Sequence, residues 1–340
     1  MSHHTVEEII KTPPAFAQLT DLASAKLGAT VLFATDDFFA EKENLIKPGR
    51  GIFIADKYTD RGKWMDGWES RRKRTPGHDW AVVKLATPGK IKGVDIDTNF
   101  FLGNHPPLGS IEAVNIAEAG SNDFESWNWQ EILSQSPLDP GSRNFYEIIN
   151  EDVFTHVRLH IYPDGGVARL KVFGEVHIDP TAIASDEVRD LAAAINGAKA
   201  LACNDMFFSS MSNLIMPNRG ENMGDGWETK RNRTPGNKDW VIVKLAYPGM
   251  IEKLLIDTCH FKGNYPDSCL IEACVSDQDA NVLDNKVEWK TVLPATKLTA
   301  DAEHIFLKDQ LLELTASHIR LFIFPDGGIS RLRVYGKKLN

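Results

Sequence analysis

HVRLHIYPDGGVARLKVFG, residues 156–174, and HIRLFIFPDGGISRLRVYG, residues 318–336, are one phrase written twice, with 12 of 19 positions identical and no gap. On either side of Pro-Asp-Gly-Gly, apolar and polar residues alternate with the period of two that puts one face of a strand in a core. A four-residue connection then predicts a hairpin in which Tyr162 pairs with Val167 and His160 with Arg169. That register gathers Val157, Leu159, Ile161, Ala168, Leu170 and Val172 on one apolar face. The other face carries His156, Arg158, His160, Arg169 and Lys171, and in the second copy His318, Arg320, Arg331 and Arg333.

The duplication extends outward. DGWESRRKRTPGHDW (66–80) returns as DGWETKRNRTPGNKDW (225–240), and DLASAKLGATVLFATDDFFA (21–40) as DLAAAINGAKALACNDMFFS (190–209). WAVVKL (80–85) and WVIVKL (240–245) are β-rich, each followed by a predicted turn, Pro88-Gly89 and Pro248-Gly249, and a second run ending in Asp-Thr. The alanine-rich openings suit two helical turns before a glycine. A period of roughly 150 residues far exceeds the units of solenoids and propellers, about 20 to 50 residues. The organisation is therefore two tandem domains, 1–176 and 188–340, joined by a linker at 177–187. Short strands, frequent turns and little helix make each an antiparallel β-sandwich or jelly roll.

Composition narrows the function classes. A net charge of −9 and a pI near 5.6 provide no whole-chain positive field for nucleic acid. A local basic cluster does exist, Arg61, Lys63, Arg71, Arg72, Lys73 and Arg74, and it reads as a solvated loop or a small-anion site. The four cysteines all fall in the second copy and form no CxxC, as expected of reduced thiols in the cytoplasm. With no secretory pattern at the N-terminus and no apolar run of membrane-spanning length, the expectation is a soluble, cytoplasmic protein without membrane or nucleic-acid partners.

No GxSxG, HExxH, Walker loop or strand-linked GxGxxG occurs. Chemistry must come from the duplicated polar residues. In the predicted hairpin Arg158 and Arg169 are diagonal neighbours, and two guanidinium groups that close call for an anion: a substrate carboxylate, or an Asp or Glu of a neighbouring strand. Trp68 and Trp80 plug the end of the sandwich or line a site, and Glu69 either pairs with Arg72 or faces a ligand. The frame DT-x-x-F-x-GN-x-P holds Asp97, Asn104 and His105 in one copy and Asp257, Asn264 and Tyr265 in the other, with Glu112 and Glu272 following. Asp, Asn, Glu and His could ligate a metal or could be hydrogen-bonded turn residues; the spacing does not separate these readings.

Taken in order and doubled, DGWExxRxR…DW, DTxFFxGNHxP and HxRLxIYPDGGxxRLxVFG resemble the allantoicase family over residues 20–338. The resemblance implies two jelly-roll repeats of the galactose-binding-like kind and hydrolysis of allantoate to ureidoglycolate and urea in allantoin breakdown. It also implies a homo-oligomer and, in some members, stimulation by a divalent metal such as Mn, for which no ligands are assigned. On this substrate, Arg158 and Arg169, or Arg320 and Arg331, would hold the carboxylate, with Arg72 or Arg231 helping. Asn104 and Asn264 would read a ureido group, Glu69 or Asp97 would act as general base, and His105 or His156 as general acid. The histidines differ between copies (His105 against Tyr265, His78 against Asn237, His160 against Phe322), so the two sites are not expected to be equally active. A reading from another class is a tandem carbohydrate- or small-ligand-binding module using Trp64, Trp68 and Trp127.

Overall fold

Asp79–Asp97 runs as one 19-residue strand through Pro88-Gly89, where the sequence predicts a turn. Pro88 does not end it because the register on the Val153–Tyr162 side slips there: His156 lies opposite Lys84 and Phe154 opposite Gly89. A proline inside such a bulge has no ladder partner to lose. The computed structural model describes residues 12–116, 123–312 and 315–339. It divides the chain into two units between His177 and Ile178, each containing one repeat.

The long strand belongs to both layers of the first sandwich. Its first half pairs with Thr30–Ala34 and Val153–Tyr162, and that layer continues through Leu108–Val114 to Gln130–Pro137. Its second half pairs with Arg169–Val176 and Arg143–Glu147, and Thr20–Asp21 closes that edge. All of these pairings are antiparallel, and Asp239–Asp257 plays the same part in the second unit. The protein is mainly β, two tandem jelly-roll sandwiches. The alanine-rich openings form single 3₁₀ turns, Ala25–Leu27 and Ala194–Asn196, rather than two helical turns; each is stopped by a glycine with positive φ. All four cysteines are free, and no helix among the described residues is long and apolar enough to cross a membrane.

The expected core face is correct and the expected hairpin is not. Val157, Leu159, Ile161, Ala168, Leu170 and Val172 are all buried. Yet His160 lies opposite Trp80 and Ser110, and Arg169 opposite Asp97. Pro163-Asp164-Gly165-Gly166 carries the chain from one layer to the other instead of turning it back beside itself. The inner faces of two packed layers show the same alternation as the two strands of a hairpin, so a period of two cannot tell them apart.

The crossover brings three duplicated phrases together. Gly166–Val167 pairs with Trp68–Glu69, the Gly166 amide donates to the Asn104 carbonyl at 2.8 Å, and the Asp164 carboxylate accepts from the Lys73 amide at 2.7 Å. The second unit repeats the set with Gly328, Asn264, Asp326 and Asn232. Gly166 permits this approach: a Cβ there would lie 2.0 Å from the Phe101 ring, and at Gly328 1.9 Å from Phe261. Gly166→Ala should therefore cost about 1–3 kcal/mol through overpacking. Thermal unfolding checks it, and Phe101→Leu in the same chain should recover part of the loss.

Candidate functional site

Glu69 closes a two-residue strand whose other member, Trp68, is fully buried and donates its indole N–H to the Asp36 carbonyl at 2.8 Å. With Trp68 fixed as a plug, alternation aims Glu69 the opposite way, toward the end of the sandwich. There its Oε1 accepts from the Asn104 side-chain amide at 2.6 Å. Asn264 donates to Glu228 in the same manner. Burial pushes the Glu69 carboxyl above its ordinary range, against the Asn104 hydrogen bond that pulls it down. His105 follows Asn104, and its Nδ1 is buried without a hydrogen-bond partner among the described residues.

Cavities open on this pair in both units, with different walls. In the second, about 690 Å³ is lined by Glu228, Asn264 and Tyr265 with Arg231, Arg233 and the turn Pro325–Gly327. Among the described residues neither arginine is tied up in an ion pair, and the lining also carries the carboxylates of Glu228, Asp267 and Asp326. In the first, a cavity of about 410 Å³ at Glu69 and Asn104 is lined by Phe39, Phe53, Lys63, Met65, Phe100 and Leu102. Arg72, the equivalent of Arg231, is exposed on the loop pinned by Asp164 and does not pair with Glu69.

The arginines expected to clamp a carboxylate already hold protein carboxylates. Arg169 donates to Asp66 Oδ2 at 2.7 Å and Arg331 to Asp225 Oδ2 at 2.9 Å, all four residues being buried. Arg158 Nε donates to Glu112 at 2.7 Å, from a position directly across the strand pair, and Arg320 is held likewise by Glu272. Arg158 and Arg169 sit on strands of different layers, so the diagonal pair predicted from the hairpin does not exist. Asp97, the alternative base, is fully buried and takes a bidentate grip from Arg50 at 2.9 and 3.1 Å. It is a structural carboxylate. Removing one partner of a buried pair strands the other charge, so Arg169→Met should destabilise the fold by roughly 3–5 kcal/mol in guanidinium denaturation.

The alternative acid, His156, also lies elsewhere. It lies near the start of the Val153–Tyr162 strand, seven residues or roughly 23 Å of extended chain from Pro163. It is buried against Trp127, with Nδ1 bonded to Thr155 and Nε2 unpartnered among the described residues. Burial lowers its pKa to about 4, with Lys84 adding to the effect, so the ring is neutral at neutral pH. A base with a depressed folded-state pKa contributes stability that is fully present above its unfolded value, near 6.5, and is lost as pH falls toward 4. The total is roughly 3 kcal/mol. Melting temperatures measured from pH 7 to 4 should fall less steeply in His156→Gln than in the parent protein.

Two of the unshared histidines, His78 and His160, form a network in the first unit. His78 Nε2 meets His160 Nδ1 at 2.8 Å, and His160 Nε2 meets Glu112 at 2.7 Å, beside Arg158 stacked on Trp80 and Trp129. Burial lowers the His160 pKa despite Glu112. Burial alone would raise Glu112, but hydrogen bonds from His160 and Arg158 hold it below its ordinary range. Asp97, His105 and Glu112 thus go to three separate places. Among the described residues no group of three or more His, Cys, Asp or Glu side chains is arranged to hold a metal ion.

The sequence matches the family model described as "Allantoicase repeat" twice, over residues 20–177 and 189–339. The chain belongs to the allantoicase family. A protein named probable allantoicase from Pseudomonas fluorescens (strain SBW25) is 51% identical over 324 residues, covering 95% of this chain and 97% of its own. One so named from Photobacterium profundum is 52% identical over 326 residues, covering 95% and 98%. The crystal structure of allantoicase from Saccharomyces cerevisiae superposes with a TM-score of 0.79 at 37% identity, covering 93% of this chain and 92% of that one. A second allantoicase structure gives 0.80 at the same identity, with 94% and 93% covered. Of the residues singled out from sequence, the structure unites Glu69 with Asn104, beside His105, and Glu228 with Asn264. Asp164 and Asp326, which pin the arginine-bearing loops, carry no role in the sequence reading, although both copies keep them in the Pro-Asp-Gly-Gly phrase.

Proposed function

We propose that the protein is an enzyme hydrolysing allantoate to ureidoglycolate and urea, with its chemistry at the Glu–Asn pair that ends each sandwich. Membership of the allantoicase family across both repeats carries the reaction. The location is supported by Glu69–Asn104 and Glu228–Asn264, which open on cavities large enough for a small molecule. Hydrolysis breaks the bond from the central carbon to one ureido nitrogen, places a water-derived hydroxyl on that carbon and delivers a proton to the departing urea. One carboxyl can take the proton from water and pass it to the nitrogen. A group held above its ordinary pKa by burial, as Glu69 is, suits both halves of that transfer. The asparagine fixes the carboxyl through its N–H and has a second amide hydrogen for a ureido carbonyl. Arg231 and Arg233 provide positive charge for a carboxylate in the second unit.

Among the described residues no cluster of His, Cys, Asp or Glu is arranged to hold a metal. The same reading carries with it a cytoplasmic location and a homo-oligomer, both inherited from the family resemblance; light scattering on the purified protein measures the latter. Urea release from allantoate tests the function. Glu69→Gln with Glu228→Gln in one chain should lower the rate at least about 10²-fold. No urea from the native protein, with or without added Mn, overturns the reaction, and full activity in the double variant overturns the site. Dialysis against a chelator followed by Mn measures the metal stimulation that the resemblance implies.

A further inference from the structure

The two copies of the site part company at one loop. Arg50 and Arg219 make equivalent pairs with Asp97 and Asp257. Between Gly51 and Asp66 the first copy has fourteen residues, 52–65, whereas between Gly220 and Asp225 the second has four, 221–224. The additional chain is an ordered flap. Tyr58–Thr59 pairs with Gly62–Lys63, the Ile52 amide is held by the buried Asp66 carboxylate at 3.0 Å, and the Trp64 amide returns to the Lys57 carbonyl. Phe53 stacks on Phe100 with ring centroids 5.4 Å apart. The second copy has no counterpart of Phe53 or Lys63, and places His260 and Lys262 where the first has Phe100 and Leu102.

The flap walls the Glu69–Asn104 cavity with Phe53, Gly62, Lys63 and Met65, facing Phe39, Phe100 and Leu102. Lys63 is the one cation in that lining. Its ammonium lies over the Phe53 ring at 4.5 Å and has no carboxylate partner among the described residues. Lys63 is exposed at the rim of that cavity, so an anion reaches it from solvent, and the Phe53 ring covers one side of the ammonium. The arginines that line the second copy's cavity have no place in this lining.

We propose, resting on the allantoate-hydrolase reading above, that Lys63 binds the substrate's carboxylate at the first repeat's site. The flap is then a specificity device of that repeat alone: it selects a small acid with ureido groups over its uncharged analogues, and the second repeat lacks it. The experiment uses a Glu228→Gln chain, in which the second repeat's site is silenced, and compares urea release from allantoate and from its carboxamide, in which the charge is removed and the ureido groups remain. That chain should favour the carboxylate in kcat/KM, and adding Lys63→Met should reduce the preference at least tenfold, mainly by raising KM for allantoate. Lys63→Arg should retain most of it, and Lys57→Met, on the same flap outside the lining, should leave it unchanged. An unaltered preference in Lys63→Met, or an equal loss on both substrates at an unchanged melting temperature, overturns the assignment. If the native protein releases urea from neither substrate, the hydrolase reading has failed and this proposal falls with it. That result is visible before any variant is made.

Discussion

The backbone of Gly166 lies against the ring of Phe101 with no room for a side chain, and the geometry of the site follows from that contact. Pressed there, the crossover chain can pair with Trp68–Glu69 and donate to the Asn104 carbonyl, while Asp164 holds the following basic loop. Three phrases far apart in sequence become neighbours through one close approach. Both copies preserve the contact, with Gly328 on Phe261. A feature retained twice at a glycine with a ring against it is a packing requirement, and the polar residues it positions are what the packing serves.

Around this point charge is divided between structural and free groups. Arg169, Arg331, Arg50, Arg158 and Arg320 are each matched to an aspartate or glutamate of the same unit, so their positive charge is spent on holding loops and strands in register. Lys63, Arg231 and Arg233, which have no such match among the described residues, line the cavities at the two Glu–Asn pairs. Duplication alone could not make this distinction, because a buried ion pair and a ligand-binding arginine are both kept when a domain is copied. Only the identity of the partner separates them.

The copies share a scaffold and differ in what surrounds the carboxyl of the Glu–Asn pair. The first has an apolar flap and a His78–His160–Glu112 network on its outer face; the second has an open, arginine-lined cavity. Low-dielectric walls strengthen an opposite charge and raise the pKa of a carboxyl, and Glu69 sits in such surroundings. The flap that walls the first pair belongs to chain that neither shared motif contains.

Residue order alone establishes the two-domain organisation, the mainly β class, the apolar faces and the family, because internal repetition and a period of two are properties of order. It also brings Glu69, Asn104, Asn264 and His105 forward, since each lies in a phrase kept in the same place in both copies. Which strands pair is settled only in the folded chain. The inner faces of stacked layers alternate just as hairpin strands do, and on that ambiguity rested the misplaced Arg158–Arg169 pair. Folding settles the fate of Asp97 and His156 as well, through Arg50 and Trp127, which lie 47 and 29 positions away along the chain. Finally, it turns a gap between the repeats into a flap. Residue order can count additional residues, but which cavity wall they form depends on contacts that exist only once the chain has closed on itself.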